Sequence, residues 1–300
     1  MNRVWLVSYP KSGNTWFRML IAALSATDDR PLDINALVEP TRMLSGRASV
    51  DHATMIDTAL LTRVEADILR SRFYTSAMEE VDAAAPYVAT RFYKVHDAYT
   101  RTRDGDPVLG RNTARAAIVL VRDPRDVAVS LAAHFNTGLD SAIDYMGRDD
   151  AALGGQQDDR TPHFEQRLLT WSGHLASWVD QGDIPVHLVR YESLLANTVD
   201  VFVDAMTFAD RLVTRAQAAK AADLAAFERL QAQERGRGFR EGPRHGPFFR
   251  SGRAGGWRDV LTTNQIRRIE ADQGPMMGRL GYETVSDQVP RSNLEIRAVP

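Results

Sequence analysis

Residues Tyr9-Pro10-Lys11-Ser12-Gly13-Asn14-Thr15-Trp16 interrupt an apolar run and open onto an amphipathic stretch. A turn that offers backbone N–H groups, one lysine and several hydroxyls at the start of a helix is a cradle for an anion. The order differs from the nucleotide-triphosphate loop G-x-x-x-x-G-K-[ST], because Lys11 precedes a lone glycine instead of following a second one. Arg122 stands where another apolar run ends, and Ser130 follows eight residues later. A guanidinium fork and a hydroxyl there fit a second anion, although Arg122 is equally placed to pair with Asp123 or Asp126. Residues 247–257, "PFFRSGRAGGW", are basic, glycine-rich and flanked by aromatics, which suits either a loop closing over a nucleotide or a solvated surface loop. A neutral imidazole suits proton abstraction near neutral pH. With seven histidines present, residue type alone does not choose one.

These groups need elements to hold them. Val4 to Ser8 is a continuous apolar run, as in a strand buried on both faces of a parallel sheet. From Thr15, the residues Trp16, Met19, Leu20, Ala23 and Leu24 recur on one helix face. The pattern repeats with a strand from Ala116 to Val121, then Asp123 as N-cap and Pro124 at the first helical position. It repeats again with a strand from Val186 to Val189. Strands alternating with helices predict an α/β fold, a single domain over residues 1–300 with a central parallel sheet flanked by helices and a P-loop-like strand–loop–helix. Helices are expected over Leu61 to Met78 and over Phe164 to Val179, where Phe164, Leu168, Trp171, Leu175 and Trp178 form a core stripe. Residues 136–162, rich in Asp, Gly and Gln, read as a long loop or insert of the kind that serves as an acceptor lid. Residues 233–256 read as a second loop, basic and carrying Phe239, Phe248 and Phe249.

Composition sets outer bounds. The chain has 300 residues, 44% hydrophobic and 25% charged, enough for a large core. A net charge of −2 gives no global basic field for nucleic acid. The absence of cysteine removes disulfides and thiolate chemistry and accords with a reducing compartment. No apolar run approaches the ~18 residues of a membrane span, so a cytoplasmic protein without a membrane partner is expected.

Three motifs together carry a resemblance. "YPKSGNTW" (9–16) is similar to the YPKSGTTW loop of the sulfotransferases that use 3′-phosphoadenosine 5′-phosphosulfate (PAPS). "VRDPRDVAVSLAAHF" (121–135) resembles their 3′-phosphate motif, and "FFRSGRAGGWRDVLT" (248–262) resembles their RKGxxGDWKNxxT loop. The motifs keep the family's order and span nearly the whole chain. The chain is thereby identified as a member of that family, of the cytosolic type and in a bacterial-like, small-molecule form.

The resemblance implies roles. Lys11, Ser12, Gly13, Asn14 and Thr15 would cradle the 5′-phosphosulfate, with Lys11 also catalytic at the bridging oxygen where charge grows. Arg122 and Ser130 would hold the 3′-phosphate. Trp16 and Phe227 match adenine-stacking positions, Tyr191 matches the tyrosine of the FYED-like segment, and Phe248, Arg250, Ser251 and Gly252 match the 3′-phosphate loop within 233–256. "FYKVHDAY" (92–99) resembles the KTHLP segment, making Lys94 and His96 catalytic, with His96 the general base for an acceptor hydroxyl. An activity limb near the ordinary imidazole range would follow. In-line transfer from PAPS, releasing adenosine 3′,5′-bisphosphate (PAP), would then need no metal. The acceptor would be a hydroxyl, or an amine, of a small molecule, glycan or peptide-derived natural product.

Some positions depart from the pattern. Asn14 replaces a threonine, Ser251 replaces a lysine that Arg253 could replace in turn, and Asp97 follows His96 where an apolar residue is usual, either orienting the imidazole or facing solvent. Thr284-Val285 lacks the flanking charges of the family's dimer motif. Two other readings compete: a P-loop nucleotide kinase, which would need the Walker lysine and a Mg²⁺-holding acid, and a non-catalytic nucleotide-binding protein, which would lack the base. The lysine order disfavours the first, and His96 with Lys94 disfavours the second.

Overall fold

The computed structural model describes residues 3–27, 30–37, 41–43, 45–84, 90–154, 162–243 and 245–284. Residues 155–161 of the expected insert and Val285 of the dimer motif lie outside the described residues. The first half of the chain runs β1 (Arg3–Ser8), α1 (Asn14–Ala23), β2 (Thr41–Met43), α2 (Arg47–Thr54), α3 (Arg63–Ala84), β3 (Arg91–Val95), β4 (Ala116–Val121), α4 (Pro124–Phe135) and α5 (Leu139–Met146). It continues with β5 (Ala152–Leu153), β6 (Gln166–Arg167), α6 (Trp171–Val179), β7 (Val186–Arg190), α7 (Tyr191–Ala196), α8 (Thr198–Phe208), α9 (Arg215–Leu224), α10 (Phe227–Arg237) and α11 (Thr263–Arg279).

A five-stranded parallel sheet has the order β2-β3-β1-β4-β7. The alternation of strand side chains sorts the apolar residues of β1 onto opposite faces. Trp5 and Val7 join Val127, Leu131, Ile143, Leu175 and Trp178 on one side. Val4 and Leu6 join Phe17, Leu20, Phe202 and Ala218 on the other. Both faces are covered, so these strands read as unbroken apolar runs. Since β3 and β4 flank β1 on opposite sides, the chain switches direction across the sheet there. That arrangement opens a crevice at the carboxyl ends of the strands, the usual ligand position in such folds.

Several sequence expectations need correction. The stripe from Phe164 to Trp178 is buried at all five positions, but the helix begins only at Trp171. Before it, Gln166 and Arg167 pair with β5, Leu169 takes a left-handed φ of 61°, and Thr170 caps the helix through its side chain. Burial on both sides of the cap produced an apparent continuous period. Within 136–162 the Asp-rich composition conceals α5 and β5, because α5 buries Ala142, Ile143 and Met146 while its acids face out. The helix expected at Leu61 runs from Arg63 to Ala84, and α10 carries helix to Arg237, so the basic loop starts at Gly238.

Candidate active site

Four of the site residues follow the carboxyl end of a parallel strand: Lys11 after β1, His96 after β3, Arg122 after β4 and Tyr191 after β7. The expected residues Lys11, Gly13, Asn14, Thr15, Trp16, Lys94, His96, Arg122, Ser130, Tyr191, Phe227, Phe248, Arg250, Ser251 and Gly252 all line one cavity of about 760 Å³. Ser12 is the exception; it is buried behind the turn, with its hydroxyl unpartnered.

The first loop is set for an anion. Lys11 has φ 70° and Gly13 φ 100°, the left-handed region that a lysine occupies only when its surroundings enforce it. α1 then begins without a side-chain cap, so its first N–H groups stay open at the positive end of the helix dipole. α4 differs, since Asp123 accepts from Arg125 N and closes that terminus. A Cβ on Gly13 would lie 2.7 Å from the Tyr191 ring, and one on Gly252 2.4 Å from the Phe227 ring, so both glycines are required by close packing of aromatics against the loops. The Asn14 side chain does not reach the cavity as a phosphate donor; its Nδ2 donates to Leu6 O at 3.0 Å and fastens the turn to β1.

Arg122 pairs with neither Asp123 nor Asp126. Its guanidinium donates to the carbonyls of Lys11 at 3.3 Å and Arg253 at 3.1 Å and stacks 4.5 Å from the Tyr191 ring. Asp126 instead accepts from Gly255 N and Trp257 N, and Glu234 accepts from Phe248 N and Phe249 N. Carboxylates thus pin the basic loop through its backbone, and of its cations Arg253 pairs with Asp259 at 3.1 Å. The lysine pKa follows: burial first, then the charges of Arg122, Lys94 and Arg250, lower Lys11 to about 7. Its ammonium lies 4.0 Å from the centre of the Phe248 ring and 3.5 Å from His134 Nδ1.

At the far side stand Lys94 and His96. Lys94 Nζ lies 3.2 Å from Glu241, which also takes a two-pronged bond from buried Arg18 at 2.7 and 2.8 Å. Burial raises the Glu241 pKa, but the Arg18 hydrogen bonds and the Lys94 charge bring it down to about 2. His96 Nδ1 donates to Ser8 O at 2.8 Å, which leaves Nε2 as the acceptor nitrogen. Burial, with the Lys94 charge, pushes its pKa down to about 3, well below the ordinary imidazole range. Asp97 neither orients His96 nor faces solvent; it is buried and bonded to Arg70 at 3.1 Å, tying α3 to the end of β3. His134, Glu241, His163 and Gln166 also line the cavity. Of these only His134 had a signal in the sequence, since it lies one turn beyond Ser130 on the same helix face.

The family described as "Sulfotransferase domain" matches residues 1–281. No curated protein matches the chain. Among solved structures, retinol dehydratase in complex with retinol and PAP is similar with a TM-score of 0.57 and 18% identity, over 92% of this chain and 81% of that one. Mouse sulfotransferase SULT7A1 complexed with PAP is similar with a TM-score of 0.54 and 17% identity, over 93% and 87%. At these identities the likeness is one of fold.

Proposed function

The chain belongs to the sulfotransferase-domain family and is an enzyme of sulfuryl transfer; from this we propose that PAPS is its donor and a small uncharged hydroxyl compound its acceptor, in the cytoplasm. The observation that carries the reading is that Lys11 and Arg122 meet beside an uncapped helix N-terminus with no carboxylate partner among the described residues. Half-buried cations without an ion-pair partner call for an anionic ligand. Cations drawn from the first loop (Lys11), the end of β4 (Arg122) and the basic loop (Arg250) along one cavity fit a nucleotide phosphorylated at both ends of its ribose.

The residues fit PAPS, which when bound supplies the sulfuryl group. The Asn14, Thr15 and Trp16 end of α1, with Lys11, would hold the 5′ end, while Arg122, Ser130, Arg250 and Ser251 would hold the 3′-phosphate. The rings of Trp16, Phe227 and Tyr191, packed against Gly252 and Gly13, would wall the adenine. Lys11 offers a fixed positive charge where negative charge develops. His96 Nε2 takes the acceptor proton, held in the right tautomer by Ser8 O. Lys94, beside Glu241, would meet the oxygens of the moving group. These protein cations provide the neutralisation that the reading requires without a metal.

Thermal denaturation tests the reading. PAP at about 100 times its Kd should raise the melting temperature by roughly 5 °C without Mg²⁺, while ATP with Mg²⁺ should change it little. The opposite order would favour a kinase. Arg122→Ala should weaken PAP roughly tenfold to a hundredfold, the loss of a charged hydrogen bond. The same variant should scarcely change affinity for adenosine 5′-monophosphate, which lacks the 3′-phosphate; equal losses for both nucleotides in calorimetry would remove Arg122 from that role.

Lys11 also predicts a pH dependence. Its cationic form is the useful one, and with a pKa near 7 that form is lost as pH rises through neutrality. Accordingly kcat/KM for PAPS, which reports the free enzyme, should fall above about pH 7. In kcat the fall should come at higher pH, because a bound anion favours the ammonium. A kcat/KM flat to pH 9 would contradict the assignment.

A further inference from the structure

Gln166 is a polar residue that the nucleotide reading does not use. It is 6% exposed, lines the cavity, and its amide makes no hydrogen bond among the described residues. Neither amide atom is among the buried unpartnered side-chain atoms, so the amide opens onto the cavity, and a ligand that displaces water there must supply its partner. Its place is specific. Ala98 N donates to Arg167 O at 2.7 Å, which sets Gln166 beside the end of β3 that carries His96.

The lining of the cavity defines the chemistry of what fits. Val129, Phe135, Leu153 and Phe248 supply apolar surface, and Leu153 pairs directly with Gln166 across β5 and β6. Two other polar groups of the cavity, His134 and His163, are held below the ordinary imidazole range by burial and then by lysine charges, so they are uncharged at neutral pH. Lys94 is engaged by Glu241.

We propose that Gln166 is a specificity-determining residue that binds a second, uncharged polar group of the acceptor, such as a hydroxyl, carbonyl or amide on an apolar body, while His96 faces the reacting hydroxyl. This rests on the sulfuryl-transfer reading above. An amide offers both a donor and an acceptor, so a hydroxyl at the right distance satisfies it, and a compound lacking that group leaves it buried and unpaired.

The probes are 2-naphthol, naphthalene-2,6-diol and naphthalene-2,7-diol. At least one diol should bind the enzyme–PAP complex about tenfold more tightly than 2-naphthol in calorimetry, the effect of one hydrogen bond to a buried group. The same preference should appear in kcat/KM with PAPS. In Gln166→Leu the preference should fall to within about twofold, with PAP affinity and melting temperature near native. Gln166→Met, a second substitution of similar volume, guards against a folding failure of the first. No diol preference in the native enzyme, or an unchanged preference in a folded variant, overturns the role of Gln166. Failure of the native enzyme to bind PAP would overturn the donor reading instead.

Discussion

Replacing His96 by alanine should lower turnover by roughly two to four orders of magnitude, the usual contribution of a positioned base, while PAP affinity stays near native. The ring touches no cation that holds phosphate; its anchor is the Ser8 carbonyl at 2.8 Å. Ser8 ends β1 and His96 directly follows β3, strands paired in parallel, so the imidazole is fixed by the sheet itself. With a pKa of about 3 it is neutral throughout the ordinary assay range. Loss of the base should therefore appear as a uniform drop across pH 5 to 9, in place of the loss of a limb near neutrality. The measurement needs a weakly acidic hydroxyl, because a phenol that supplies its own anion escapes part of the loss. Turnover within about threefold of native, well short of a base's contribution, would leave His96 with only a packing role.

Lys11→Ala should fall mainly on kcat, by roughly two to three orders of magnitude, the size seen when one fixed donor to developing charge is removed. PAP lacks the sulfuryl group and carries its charge in the ground state, so its affinity should change far less. The left-handed backbone at Lys11, with φ 70°, adds a second expectation. Lys11→Gly relieves that strain and should melt higher than Lys11→Ala, yet both should be equally slow, because each lacks the ammonium. Stability and rate would thus separate. Single-turnover rates with PAPS, compared with PAP binding by calorimetry, check both parts. Equal losses in PAP affinity for Lys11→Ala and Arg122→Ala, with no difference in turnover, would sink the division of roles between them.

The sequence by itself determined the parallel α/β frame and most of the cavity. Continuous apolar runs at Val4 to Ser8 and Ala116 to Val121 read as strands covered on both faces, and the change to helical period after Thr15 fixes where the loop lies. Local motifs then name their own residues, since Lys11, Gly13 and Arg122 lie within a few positions of strand ends that the pattern marks and Ser130 sits in the helix that follows. Tertiary structure alone decided the partners. Glu241 meets Arg18 across 223 positions and Lys94 across 147, and Asp126 caps a loop 129 residues away. No local period records such pairings. The same holds for the pKa values of Lys11 and His96, which depend on burial and on cations brought together from separate strand ends. Gln166 lay within an apparent helical stripe until the chain was seen to extend along β5. Its free amide became visible only there, because a polar group is unpaired only with respect to everything folded around it.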